Sequence, residues 1–204
     1  MPAQKRIIQY LVDNDRRLKT VTQLCPYPCS RKNTDIYMAL LSSIVSQQLS
    51  VKAADTIFNR FLDIYPDRYP PPGQLIKTTS ARLRTAGLSQ QKAQYLKNVA
   101  SFALEDDGLN YHYLRKKTDE ELISHLTQIK GVGRWTVEML LMFTLDRKDV
   151  LPVNDLGIQQ AIKKLYKLDH EGKELKQKMV VIAENWKPYR SIVCKYLWHW
   201  KSLP

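Results

Sequence analysis

Apolar positions recur with the 3.6-residue spacing of a helix along nearly the whole chain. Tyr37, Leu40, Leu41, Ile44 and Val45 form one stripe, and Ala54, Ile57, Phe58, Phe61 and Leu62 form the next. Between them stands Ser50, whose hydroxyl suits a helix N-cap. The prolines of "DRYPPPG" end this pair, since proline cannot occupy a helix interior. Ser89 caps a further helix carrying Ala93, Leu96, Val99 and Ala100, and Thr118 with Glu121 has capping-box spacing ahead of Leu122, Ile123 and Leu126. The pattern predicts helices over about 118–128, 134–145, 155–166, 172–184 and 188–200. No alternating run bounded by hairpin signals is present, so the expected fold class is all-α.

The chain has only seven glycines, yet two of them flank Val132 in "IKGVGRWTVE". The helix before this stretch must reverse and hand over to the next within about five residues. Gly131 and Gly133 can take positive φ, which L side chains resist, and so permit that tight a hairpin. The start of the second helix presents unpaired N–H groups and a partial positive charge, which suit a phosphate. The stretch reads either as a bare helix–helix turn or as a phosphate grip, and the flanking Lys130 and Arg134 favour the grip.

Charge supports that choice. Lys and Arg number 32 against 20 Asp and Glu, a net charge of +12 spread along the chain. Such an excess is either a solvated surface of helical lysines or the footprint of a polyanion partner. The 44% apolar fraction is that of an ordinary globular chain, and no apolar run is long enough to cross a bilayer. The first residues lack a signal-peptide core, so secretion is not expected, and an odd cysteine count favours a reducing compartment. A metal site on Cys25 and Cys29 would lack a second ligand pair, and His112, His125, His170 and His199 show no ligand spacing.

Leu126 to Thr136, "LTQIKGVGRWT", resembles the helix–hairpin–helix motif of the DNA glycosylase superfamily. That superfamily places an aspartate beyond the second helix, and here "KDVLPVNDLGIQQAI" supplies Asp155, 22 residues after Gly133. The segment from about 118 to 166 is similar to the 3-methyladenine DNA glycosylase II family, as is "ENWKPYRSIVCKYLWHW" from Glu184 to Trp200. The likeness extends more loosely back to about residue 35, through "LLSSIVSQQLS" and "LRTAGLSQQKA". It implies one glycosylase unit over 1–204, with two helical lobes around a cleft and the helix–hairpin–helix at about 118–145. Lobe one would span about 35–135, and lobe two about 1–34 with 136–204. A compact form without the N-terminal β domain of longer members is expected.

The resemblance also distributes roles. An enzyme attacking a glycosidic bond inside a duplex must extrude the nucleotide, so it needs a grip, a plug, a pocket and a catalytic group. The grip would be Lys130, Gly131, Val132, Gly133 and Arg134, with carbonyls of Thr127, Ile129 and Val132 holding a monovalent cation. Ser89 and Lys92 would hold a second phosphate. Gln48, then Leu49, would be the plug; alternatively Gln47 and Gln48 are a polar helix end. Asp155 would stabilise the positive charge that builds on the sugar, or activate water; alternatively Asp155 or Asn154 simply caps the next helix.

Trp135 and Trp198, with Trp186 and Tyr189 behind them, would form an electron-rich pocket for a cationic alkylated purine, unless these tryptophans are core. In members that also cut the strand, a lysine at the position of Trp135 forms a Schiff base, which an indole cannot do. Met139 departs from the family, some members of which carry tyrosine there. No cofactor is expected, and the iron–sulfur cluster of the endonuclease III branch is not, because Cys194 stands alone. The expected protein is a monomeric, monofunctional glycosylase that removes 3-methyladenine- and 7-methylguanine-type bases from double-stranded DNA. It would act in the cytoplasm or nucleus according to the organism. The rivals are a glycosylase for another damaged or mismatched base and a non-catalytic helix–hairpin–helix DNA-binding module.

Overall fold

A computed structural model describes residues 3–28 and 34–203. Cys29 lies outside them; Cys25 is buried with a free thiol. The chain divides into two compact units, residues 32–140 and residues 1–31 with 141–204. In chain order the second of these contributes α1 (Ala3–Asn14) and α2 (Leu18–Leu24). The central unit follows with α3 (Ile36–Ser46), α4 (Val51–Leu62), α5 (Pro72–Lys77), α6 (Ser80–Arg84), α7 (Gln90–Ala103), α8 (Tyr111–Leu114) and α9 (Asp119–Leu126). Helix α10 (Arg134–Phe143) begins in the central unit and ends in the other, which continues with α11 (Leu156–Tyr166), α12 (Gly172–Ala183) and α13 (Arg190–Lys201). Among the described residues there is no strand, and no helix is long and apolar enough to cross a membrane. The all-α expectation holds.

Local chemistry sets most helix starts. Asp35 Oδ1 accepts from Met38 N at 2.9 Å, Ser50 Oγ from Ala53 N at 3.4 Å and Ser89 Oγ from Lys92 N at 3.1 Å. Each satisfies one otherwise orphaned N–H of a first turn. Thr118 and Glu121 close the capping box in both directions, with Thr118 N donating to Glu121 Oε2 at 2.7 Å. The proline run has a second role, because Pro72 is the first residue of α5, where its fixed φ and missing N–H cost nothing.

In the central unit α7 packs on α3, α5 and α6. Its buried face is Ala93, Leu96, Val99, Ala100 and Phe102, and each large apolar side chain there contributes about 1.5–3 kcal/mol of burial free energy. In α4, Ala54, Phe61 and Leu62 are buried, whereas Ile57 and Phe58 are half-buried. The other unit packs α13 on α2 and α11 around Leu11, Val21, Ile158, Ile162, Trp186 and Tyr196.

Candidate DNA-backbone grip and catalytic carboxylate

The turn between α9 and α10 is built as the glycine spacing suggested, with one of the two glycines in the left-handed region. Ile129 N donates to Leu126 O at 3.2 Å and Val132 N to Ile129 O at 2.9 Å, which reverses the chain. Gly131 lies at φ +107, and a Cβ there would fall 2.3 Å from the Tyr95 ring. No side chain fits. Gly133 does not use that freedom: its φ is not positive, and a Cβ on it would meet nothing within 4 Å. Gly133 therefore leaves open space in front of the first N–H groups of α10, beginning with that of Arg134. Val132 is buried and spends its N–H on the turn, so it shapes the grip rather than donating to it.

The two basic neighbours differ. Lys130 is exposed, while its carbonyl accepts from Asn98 Nδ2 at 3.0 Å. Arg134 braces the motif: Nη1 and Nη2 reach Glu120 at 3.2 and 2.7 Å, and Nε reaches buried Glu138 at 3.1 Å. The guanidinium holds Glu120 below the usual carboxylate range through these bonds. Its charge is thus shared with two carboxylates, of which Glu120 ties the first turn of α10 to the first turn of α9 and Glu138 braces it within α10.

The expected second phosphate ligand is also committed elsewhere. Lys92 Nζ donates to Val45 O at 2.7 Å and Gln47 O at 2.8 Å, capping the end of α3, and burial pulls its pKa below that of an ordinary lysine. Exposed Ser89 spends Oγ on its helix cap. After Gln47 comes Gln48, exposed and at φ +59, and then Leu49, 39% exposed. A left-handed backbone is uncommon for a residue with a Cβ, and here it turns the chain outward between α3 and α4.

The other unit holds Asp155. Its side chain caps α11: Oδ1 accepts from Ile158 N at 2.8 Å and from Trp198 Nε1 at 2.9 Å. The capping reading of Asp155 is correct in geometry, and the same two bonds hold Oδ1 in place. At Gly157 a Cβ would fall 2.9 Å from Trp198 Nε1 and 3.0 Å from Asp155 Oδ1, so glycine is what admits the indole to the carboxylate. Asp155 is 9% exposed. Trp198 stacks on Phe143 at 5.6 Å and 27°, and Phe143 is 45% exposed.

The connection carrying Asp155 is anchored to the start of α13. Arg190 Nε and Nη2 reach Asp149 Oδ1 and Oδ2 at 2.7 and 2.9 Å, Ser191 Oγ accepts from Val150 N at 2.9 Å, and Ser191 N donates to Lys148 O at 2.9 Å. Sequence reasoning passed over Asp149, Arg190, Ser191, Gly157 and Phe143. The Gly157 spacing to the aspartate was the one local signal.

The remaining tryptophans separate. Trp135 is 37% exposed on the first turn of α10. Trp186 is fully buried, packs against Tyr166 and donates Nε1 to Asp15 Oδ2 at 3.0 Å. It is a core residue, and a base could stack on it only by opening that core. Tyr189 is half-buried, edge-on to Tyr10 at 5.6 Å. For a monovalent cation, the Ile129 carbonyl keeps one lone pair after receiving Val132 N–H, while Thr127 Oγ1 turns back to Ile123 O at 2.7 Å and leaves only its carbonyl for such a site. The donor set is oxygen from backbone, which fits a hard monovalent ion.

The model of the HhH-GPD superfamily base excision DNA repair protein matches residues 41–190. The chain is 37% identical over 177 residues to DNA-3-methyladenine glycosylase 1 of Schizosaccharomyces pombe, covering 85% of this chain and 76% of that protein. The solved 3-methyladenine DNA glycosylase of Schizosaccharomyces pombe in complex with abasic DNA superposes with a TM-score of 0.84 at 34% identity over 95% of each chain. A DNA-3-methyladenine glycosidase of Bacillus halodurans superposes with a TM-score of 0.78 at 34% identity, over 96% of this chain and 89% of that one. The chain belongs to the HhH-GPD superfamily of base excision DNA repair proteins.

Proposed function

We propose that this chain is a monofunctional DNA glycosylase that hydrolyses the N-glycosidic bond of alkylated purines in duplex DNA and leaves an abasic site. The observation that carries the reading is Asp155, held by a helix N–H and an indole N–H on one carboxylate oxygen, in a chain that also has the glycine hairpin. The named relatives are glycosylases of 3-methyladenine type, and one was solved with abasic DNA.

In this reading the hairpin takes a backbone phosphate at the start of α10, and its carbonyls at Thr127, Ile129 and Val132 accept a monovalent cation that offsets the phosphate charge. Gln48, with Leu49 beside it, fills the gap left by the extruded nucleotide. A 3-methyladenine or 7-methylguanine base is cationic, so it leaves with the bonding electrons as a neutral purine. Positive charge passes to the sugar, where the fixed carboxylate of Asp155 stabilises it until water adds at C1′ and loses a proton. Phe143, exposed and backed by Trp198 in the unit that carries Asp155, offers a π face to the cationic base. Trp135 has no amine, so no Schiff base forms at its position.

The test offers methylated duplex DNA to the protein and assays free 3-methyladenine and 7-methylguanine, with a borohydride trap in parallel. Release without a covalent protein–DNA adduct is expected. Binding without release would leave only a DNA-binding module, and a trapped adduct would contradict the monofunctional assignment.

A further inference from the structure

Two turns of the central unit, far apart in sequence, are tied by a single side chain. Gln47 Nε2 donates to Gly131 O at 3.1 Å, across 84 residues of sequence. Its own carbonyl, with that of Val45, is held by Lys92 Nζ at 2.8 and 2.7 Å. The next residue is Gln48, whose left-handed backbone persists only where its flanks hold it.

One helix supports both turns. Lys92, Tyr95 and Asn98 lie three residues apart on α7, hence on one face. Lys92 ends on the 47–50 turn, Tyr95 packs beneath Gly131 and Asn98 Nδ2 donates to Lys130 O at 3.0 Å. Gln47 then closes the remaining side, turn to turn.

We propose that Gln47 and Lys92 are positioning residues that couple the hairpin to the 47–50 turn, so that seating a phosphate on the hairpin sets Gln48 at the vacated stack. This rests on the glycosylase reading. With the link intact, backbone grip and plug insertion are one event; with it cut, the hairpin still takes its phosphate but the extruded state loses support. The extrusion step should therefore suffer while backbone binding does not.

The test compares single-turnover release of 7-methylguanine from two duplexes, one pairing the lesion with cytosine and one placing it opposite a tetrahydrofuran abasic analogue. Extrusion costs less in the second because the base is already unpaired. Gln47→Leu removes the turn-to-turn donor, Lys92→Met removes the ammonium, and Lys92→Arg restores a cation. Gln47→Leu and Lys92→Met are expected to slow release from the paired duplex about fivefold or more, the scale of one lost hydrogen bond. Release from the unpaired duplex should stay within about twofold, undamaged-duplex affinity should hold, and Lys92→Arg should recover part of the loss. Equal slowing on both duplexes would mark a merely structural role and overturn the proposal, as would no slowing on either. Should Lys92→Met fail to fold, Gln47→Leu carries the test alone. Absence of release by the unmodified protein from both duplexes would instead sink the glycosylase reading, so the two failures are distinct.

Discussion

The indole N–H of Trp198 donates to Oδ1 of Asp155 at 2.9 Å, in space left open by the missing side chain of Gly157. A tryptophan expected to stack on a base thus orients the carboxylate of the proposed reaction. The N-cap bond from Ile158 N lands on the same oxygen at 2.8 Å, so two donors from different helices fix one atom.

Trp198→Phe separates the two roles of that side chain. Phenylalanine keeps a ring against Phe143 but has no N–H to give. Base release under single-turnover conditions should fall roughly tenfold or more, the scale of a hydrogen bond to a charged group, while the melting temperature shifts by only about 3 °C. Unchanged release would mean that Trp198 works by stacking alone. Gly157→Ala should be worse on both measures, since its Cβ would press on the indole nitrogen and the carboxylate together.

The glycines of the hairpin should behave oppositely. Gly131→Ala combines a positive φ with overlap of the Tyr95 ring, and should cost about 2–4 kcal/mol of stability in chemical denaturation. Gly133→Ala has ordinary backbone and empty space around its Cβ, so the fold should be retained within about 1 kcal/mol. Affinity for duplex DNA should nevertheless drop for Gly133→Ala, because the methyl group would stand where a phosphate approaches. Normal DNA affinity in that variant would argue against the hairpin as the grip.

Arg190→Lys probes the anchor of the connection that carries Asp155. Arginine makes two contacts to the Asp149 carboxylate and a third, at 3.0 Å, to the Asp149 carbonyl; lysine cannot reproduce the fork. The pair is partly screened, with side chains 21% and 34% exposed, so the expected loss of stability is about 1–2 kcal/mol. Base release should slow along with it while undamaged-duplex binding is kept. A stability loss with no change in release would show that the connection needs no such anchor.

Legibility in the sequence follows the range of the interaction. Ser50, Ser89 and the Thr118–Glu121 box bond within three residues of themselves, so a helix start could be read from its own letters. Apolar spacing likewise revealed the buried faces of α3, α7 and α9. The hairpin was visible as glycine spacing, but which glycine has no room for a side chain depends on Tyr95, 36 residues away and unmarked by any pattern. Lys92 and Arg134 read as phosphate ligands because charge is visible in sequence; their partners, the carbonyls of Val45 and Gln47 and the carboxylates of Glu120 and Glu138, are not. Trp186 has a similar explanation, since its bond to Asp15 joins opposite ends of the chain.

Asp155→Asn tests the central claim most directly. Asparagine is as good an N-cap as aspartate and its amide oxygen can still accept from Ile158 N and Trp198 Nε1, so the fold and the geometry should survive. Only the negative charge is lost. Release of 3-methyladenine and 7-methylguanine from methylated DNA should fall by about a hundredfold or more, with stability and binding of undamaged duplex nearly unchanged. Release at the unmodified rate would contradict the account, leaving Asp155 as a helix cap and nothing else.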